Sequence, residues 1–334
     1  MSVIFGYDAL GVVVLYCAMS VLSLLGVVGN VLSIVVWTRP QLKSSSAVLL
    51  TALGFSDTFL ILTSFPQKLL SILAEYTTLI NHRSVVLSFV DRFILPLLVV
   101  FGYPLYSIAR TISIYLTMAM TLERFIAVCL PFEYQEICSY GRTCKTTAAI
   151  VIFAILFNLV TFWKTEIHTA TKPDGTIIGF YYTVTEFSGE RVLIWFELFF
   201  RFLIPLAVII ICNTAICYEL KMTSRTRQGI TDHQKKEDRL TMMLVYVVFE
   251  FLVCYSITAF VAIDNTLDLT PSSLWDRARM VPVENFFDLL NASMNFVSYV
   301  TFGKPFRKTL VSMFCIRYSK VPQERSPVNP ENQF

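Results

Sequence analysis

Long apolar blocks alternate with short polar connectors along this chain. The blocks cover about 10–37, 47–73, 94–127, 146–163, 192–219, 240–263 and 280–302. A helix needs roughly 20 mostly apolar residues to cross a hydrocarbon core about 30 Å thick. Lipid offers backbone groups no hydrogen-bond partner, so continuous helices are the form such blocks take. The pattern predicts an all-α integral membrane protein, a bundle of seven transmembrane helices spanning 10–302 behind a short outer amino end at 1–9.

Two segments depart from that pattern. After the seventh block, Phe306, Leu310, Met313 and Phe314 fall on one helical face and Lys304, Arg307 and Lys308 cluster at its start. That spacing predicts a short amphipathic helix over 303–316 lying in the membrane interface. Cys315 at its end is a candidate palmitoylation site, with a plain thiol as the alternative. The fourth connector holds Lys172-Pro173-Asp174-Gly175 between stretches rich in β-branched and aromatic residues, Thr165 to Thr171 and Thr176 to Phe187. Pro presets φ and Gly accepts positive φ, so a β-hairpin is expected in this second outer loop. The remainder, 317–334, has the composition of a disordered cytoplasmic tail.

Charge orients the bundle. Segments 38–46, 124–145, 220–239 and 303–334 carry seventeen Lys and Arg, and the opposite set carries eight. The basic set is expected in the cytoplasm and the amino end outside. Only 15% of residues are charged and mean hydropathy is +0.63, far from a soluble domain. None of the eight Cys falls in a predicted outer loop, so no external disulfide is expected. No short apolar leader with a small-residue cleavage site is seen at the start.

Polar residues inside the blocks are costly and mark candidate sites. Asp57 lies midway along the second block with no Lys or Arg at its depth. A sodium ion held by Asp57, Ser113, Asn291 and Asn295 would neutralise it; no other cofactor is expected. Glu123-Arg124-Phe125 ends the third block at the cytoplasmic border. Glu237 and Asp238, at the inner tip of the sixth, are placed to hold Arg124 in a resting state. Arg110 lies fourteen residues before Arg124, so about 21 Å deeper, and needs an acid. Glu197, on one face with Arg201, ranks ahead of Glu250, and Asp288 is a more distant choice.

Glu123-Arg124-Phe125, Asn30, Asp57 and Asn295-Phe296-Val297-Ser298-Tyr299, each in its own block and in order, resemble the rhodopsin-like G-protein-coupled receptors. The third block from Tyr103-Pro104-Leu105 to Phe125, with Cys138-Ser139-Tyr140-Gly141-Arg142, Phe162-Trp163-Lys164, Ile204-Pro205 and Asn291-Ala292-Ser293-Met294-Asn295-Phe296, resembles the invertebrate FMRFamide receptors. The resemblance implies a plasma-membrane receptor for a short amidated neuropeptide that signals to a heterotrimeric G protein through Glu123, Arg124, Phe125 and Tyr299. It also implies a ligand cavity near the outer mouth. Gln67, Tyr103, Tyr106 and Arg110 are candidate lining residues there, with Glu197, Arg201, Tyr255, Asn285 and Asp288 across from them.

Three departures stand out. The usual Cys pair at the outer face is missing. The sixth block has Cys254, Tyr255 and Ile257 where the class has Cys-Trp-x-Pro, with no proline from 240 to 263, so its helix is expected to run without a kink. Phe296 replaces the class's usual proline. The seventh block has no Lys for a retinal and the outer third block no Asp for an amine. No metal or nucleophile motif points to an enzyme. The other reading that stays open is a chemosensory receptor for a small molecule, or a weakly signalling receptor-derived protein.

Overall fold

Residues 9–79, 85–184, 190–226, 232–267 and 277–314 are described by a computed structural model of the chain. Seven long helices lie in the predicted order: α1 (Ala9–Trp37), α2 (Ser45–Leu79), α3 (Tyr103–Cys129), α4 (Tyr140–Asn158), α5 (Ile204–Thr226), α6 (Asp232–Leu267) and α7 (Arg277–Phe302). Five helical stretches, Tyr16–Trp37, Ser45–Pro66, Arg92–Cys129, Tyr140–Phe162 and Val192–Met222, are apolar and long enough to cross a membrane. The sixth carries a shorter apolar run, Val248–Val261. At 36 residues α6 is about 54 Å long, well beyond the hydrocarbon thickness, so its polar first turns extend past the core.

The surface is apolar where lipid would lie, and the apolar core holds buried polar residues. Leu24, Leu25, Ile211 and Phe249 are exposed, while Asn30, Asp57, Ser113 and Asn295 are buried. α3 is the central helix and packs against α2, α4 and α5; α7 packs against α1 and α6. Small residues permit the α1–α7 approach. Asn30 donates to the Ala292 carbonyl at 2.8 Å and Ser293 to that of Leu22 at 3.0 Å. A Cβ on Gly29 would lie 2.8 Å from Phe296 Cβ.

The third and fifth spans contain wide π turns, at Val90–Ile94, Leu98–Gly102 and Leu198–Leu203. Each ends two residues before a proline, Pro96, Pro104 or Pro205. A proline lacks the N–H that would bond one turn back and its ring crowds that carbonyl; widening the preceding turn relieves both. α6, with no proline from 240 to 263, continues as one helix through that stretch.

The hairpin forms as β1 (Thr165–Thr171) paired antiparallel with β2 (Ile177–Val184). Gly175 has φ +83° and donates to the Lys172 carbonyl at 2.9 Å, and Asp174 accepts from the Thr176 N–H at 2.9 Å. β2 ends at Val184; Thr185 to Phe187, expected to continue it, lie outside the described residues. α8 (Lys304–Phe314) follows α7, with Phe306 fully buried and Leu310 and Met313 half-buried against the core. Phe314, expected on that face, is exposed. Cys315 and 317–334 lie outside the described residues.

Gly29→Ala is predicted to cost about 1–3 kcal/mol by overpacking against Phe296, read as a lower thermal midpoint of purified receptor. Gly141→Ala, with nothing within 4 Å of the new methyl, leaves the midpoint unchanged. Equal midpoints for both variants would contradict the close approach of α1 and α7.

Candidate functional site

Three polar clusters are stacked along the inner face of α3. Nearest the hairpin end, the Arg110 guanidinium lies 3.2 Å from Glu284 Oε1 and 3.4 Å from Asp288 Oδ1, both on α7. Tyr106 donates to the other Asp288 oxygen, and Thr258 on α6 reaches Oδ1 at 3.4 Å. Arg110 also lies over the Phe202 ring at 5.6 Å. Glu284 and Asp288 are four residues apart, hence one above the other on a helix face. Arg110 and Asp288 are buried, and Glu284 is partly open.

This corrects the expected pairing. Glu197 lies 4.0 Å from Lys164 at the hairpin end, not against Arg110. Glu250 accepts from Ser298 at 2.8 Å. Arg201 does not share a partner with Glu197; it donates to the Asn158 side-chain oxygen on α4 and sits 5.5 Å over the Phe157 ring. Glu197 lies just before the wide turn Leu198–Leu203 and Arg201 within it; Glu197 meets Lys164 at the hairpin end while Arg201 reaches Asn158 on α4.

Among the other expected lining residues, Tyr255 stacks between Phe202 and Phe251 at 5.3 and 4.8 Å and donates to the Arg201 carbonyl. Tyr103 is half-exposed with its ring 6.2 Å from that of Tyr106. Asn285 is half-buried on α7. The side chain of Gln67 lies outside the described ones.

Three residues inward, about 4.5 Å along α3, Ser113 donates to Asp57 Oδ1 at 2.8 Å and Asn295 to Oδ2 at 2.7 Å. Asp57 is wholly buried. Among the described contacts no Lys or Arg pairs with it, and Asn291 makes no hydrogen bond to it. Ser113 and Asn295 thus bind the carboxylate directly, and Asn291 lies on α7 four residues before Asn295.

At the basic end Glu123 and Arg124 are both buried, 3.9 Å apart. Ser46 on α2 bridges them, donating to Glu123 at 3.0 Å and accepting from Arg124. Tyr134, in the loop after α3, donates to the same Glu123 oxygen at 3.0 Å. Burial pushes the Tyr134 hydroxyl well up, and the Glu123 carboxylate adds to that, so it stays a donor. Phe125 is half-buried. α3, α5 and α6 leave only about 10 Å³ beside Arg124, room for about one water. Tyr299 is buried against Trp37 and Phe306. The side chains of Glu237 and Asp238 lie outside the described ones.

Sequence reasoning missed Glu284, Thr258, Asn158, Ser46 and Tyr134. Only Glu284 carried a signal, its four-residue spacing from Asp288; the others are small polar side chains whose partners are set by packing.

Residues 29–299 match the family described as 7 transmembrane receptor (rhodopsin family), and the chain belongs to that family of membrane receptors. The FMRFamide receptor of Drosophila melanogaster is 29% identical over 300 residues, 88% of this chain and 52% of that one. The FMRFamide peptide receptor frpr-18 of Caenorhabditis elegans is 28% identical over 318 residues, 88% of this chain and 68% of its own. The probable G-protein coupled receptor frpr-1 of the same worm is 24% identical over 331 residues, 91% and 79% of the two chains. This chain spans about half the length of the Drosophila relative.

Removing the cation from the first cluster strands two carboxylates. Arg110→Leu is predicted to destabilise the receptor by about 3 kcal/mol or more. The double variant Arg110→Leu, Asp288→Asn recovers part of the loss. Thermal midpoints in detergent read both. Strict additivity of the two single substitutions would contradict the pairing.

Proposed function

We propose that this chain is a receptor for a short amidated peptide of the FMRFamide type and relays peptide binding to a heterotrimeric G protein. The observation that carries this reading is the Arg110 cluster beneath the hairpin end. One guanidinium faces two carboxylates and a tyrosine hydroxyl, and Glu284 is partly open. A peptide bearing a cationic side chain can share these acids, and its aromatic groups find Tyr103, Tyr106 and Tyr255 nearby. The likeness to two receptors named for FMRFamide supports the same ligand class.

In this reading the amino end and the hairpin face outward, and the ends carrying Arg124 face the cytoplasm, in keeping with the basic loops. Arg124 then lies about 21 Å from the ligand cluster, bound to Glu123 and Ser46 until α6 moves. Phe132, entirely exposed beyond α3, presents an apolar contact to the G protein. Glu237 and Asp238 remain the proposed restraints on Arg124.

Asp57, Ser113, Asn291 and Asn295 offer carboxylate, hydroxyl and amide oxygens, a donor set that suits a small hard cation. Sodium there would neutralise Asp57 and hold α2, α3 and α7 together. Its proposed role is to favour the resting arrangement.

A panel of amidated peptides applied to cells expressing the receptor, read by second messenger, tests the ligand class. An FMRFamide-type peptide gives the response; a response confined to small molecules would overturn it. Arg124→Ala is predicted to abolish the second-messenger response while radiolabelled peptide still binds. Asp57→Asn is predicted to make agonist affinity insensitive to sodium at unchanged surface expression. An equal sodium shift in wild type and variant would remove the cation site from the account.

A further inference from the structure

At the basic end α1 stops at Trp37 while α2 starts at Ser45 and α4 at Tyr140. Ser45 donates to the Cys138 carbonyl at 2.5 Å, which fastens the start of α4 to that of α2. Between these three helix ends lies a cavity of about 590 Å³, within the range of small-molecule sites. It opens toward the side of the bundle that faces lipid.

Its lining runs from polar to apolar along α2. Thr38, Lys43 and Ser44 lie at the end of the helices; Val48, Ala52 and Phe55 follow toward the centre of the span. From Ser44 to Phe55 is about 16 Å, so the groove runs lengthwise into the hydrocarbon region. Thr51 donates to the Ala47 carbonyl at 2.7 Å, so its hydroxyl is occupied within α2. Phe55 is 60% exposed.

One group at the polar end lacks a complement. Lys43 is exposed and its ammonium sits 4.8 Å over the Tyr140 ring; no carboxylate pairs with it among the described residues. It asks for an anionic head, and the groove beyond it asks for an apolar tail.

We infer that this groove is a binding site for one anionic phospholipid, whose phosphate meets Lys43 while an acyl chain lies along Val48, Ala52 and Phe55. The amino ends of α2 and α4 add partial positive charge beside the phosphate. Basic pockets between spans at the cytoplasmic side are suited to such headgroups. The lipid would brace α1, α2 and α4 on the face opposite the Ser46 bridge to Glu123 and Arg124.

The test is native mass spectrometry of the full chain released from micelles holding equal phosphatidylserine and phosphatidylcholine with matched acyl chains. Wild type is expected to retain one phosphatidylserine, preferred by about fivefold, the contribution of one basic side chain at an anionic surface. Lys43→Gln brings the ratio to about one and Lys43→Arg keeps it. Val48→Trp, filling the apolar part, lowers retention of both lipids. Wild type retaining no phosphatidylserine, an unchanged ratio in Lys43→Gln, or unchanged retention in Val48→Trp would each overturn the site.

Discussion

An ionised side chain in the hydrocarbon interior has no water to turn to, and Arg110 is where this chain meets that constraint most sharply. Its guanidinium fixes how α3 faces α7, because Glu284 and Asp288 must both lie within reach. Tyr106 and Thr258 close the arrangement from α3 and α6. A ligand that competes for the two acids alters the contact between α3, α6 and α7 directly. The same rule orders the levels below. Asp57 draws donors from α3 and α7, and Glu123 draws them from α2 and the loop beyond α3. Each level ties neighbouring helices together through α3.

Seven apolar blocks were enough to read the bundle, its order and the hairpin, because each follows from local rules. Span length follows lipid thickness, and Pro173 and Gly175 specify their turn. The wide turns before Pro96, Pro104 and Pro205 answer missing N–H donors, but Pro66 lies inside α2 without one, so the prolines alone did not specify them. What α6 does without a proline follows the same logic in reverse.

Partner choice was less legible. Glu197 was ranked ahead of Glu250 as the partner of Arg110 because it lies closer to the outer mouth. In the structure that nearness to the mouth takes it to Lys164 instead. Asp288 was foreseen only as a distant choice, and Glu284 not at all, although their four-residue spacing places both on the face that meets α3. Ser113 and Asn295 do meet Asp57, because depth along three spans sets which polar residues share a level. Ser46 and Tyr134 were out of reach, because a hydroxyl's partner depends on how helix ends and loops pack.

The central claim is that a ligand cation is received by Glu284 and Asp288, the two acids that meet Arg110. The most direct measurement compares the potency of FMRFamide with that of its citrulline analogue, which replaces the peptide's arginine by a neutral isostere, on wild type and on Asp288→Asn. The account predicts a loss of about tenfold or more for the analogue on wild type, the scale of one charge-assisted hydrogen bond. It predicts little further loss on Asp288→Asn, whose potency for FMRFamide is already reduced. An equal loss on both receptors would contradict it.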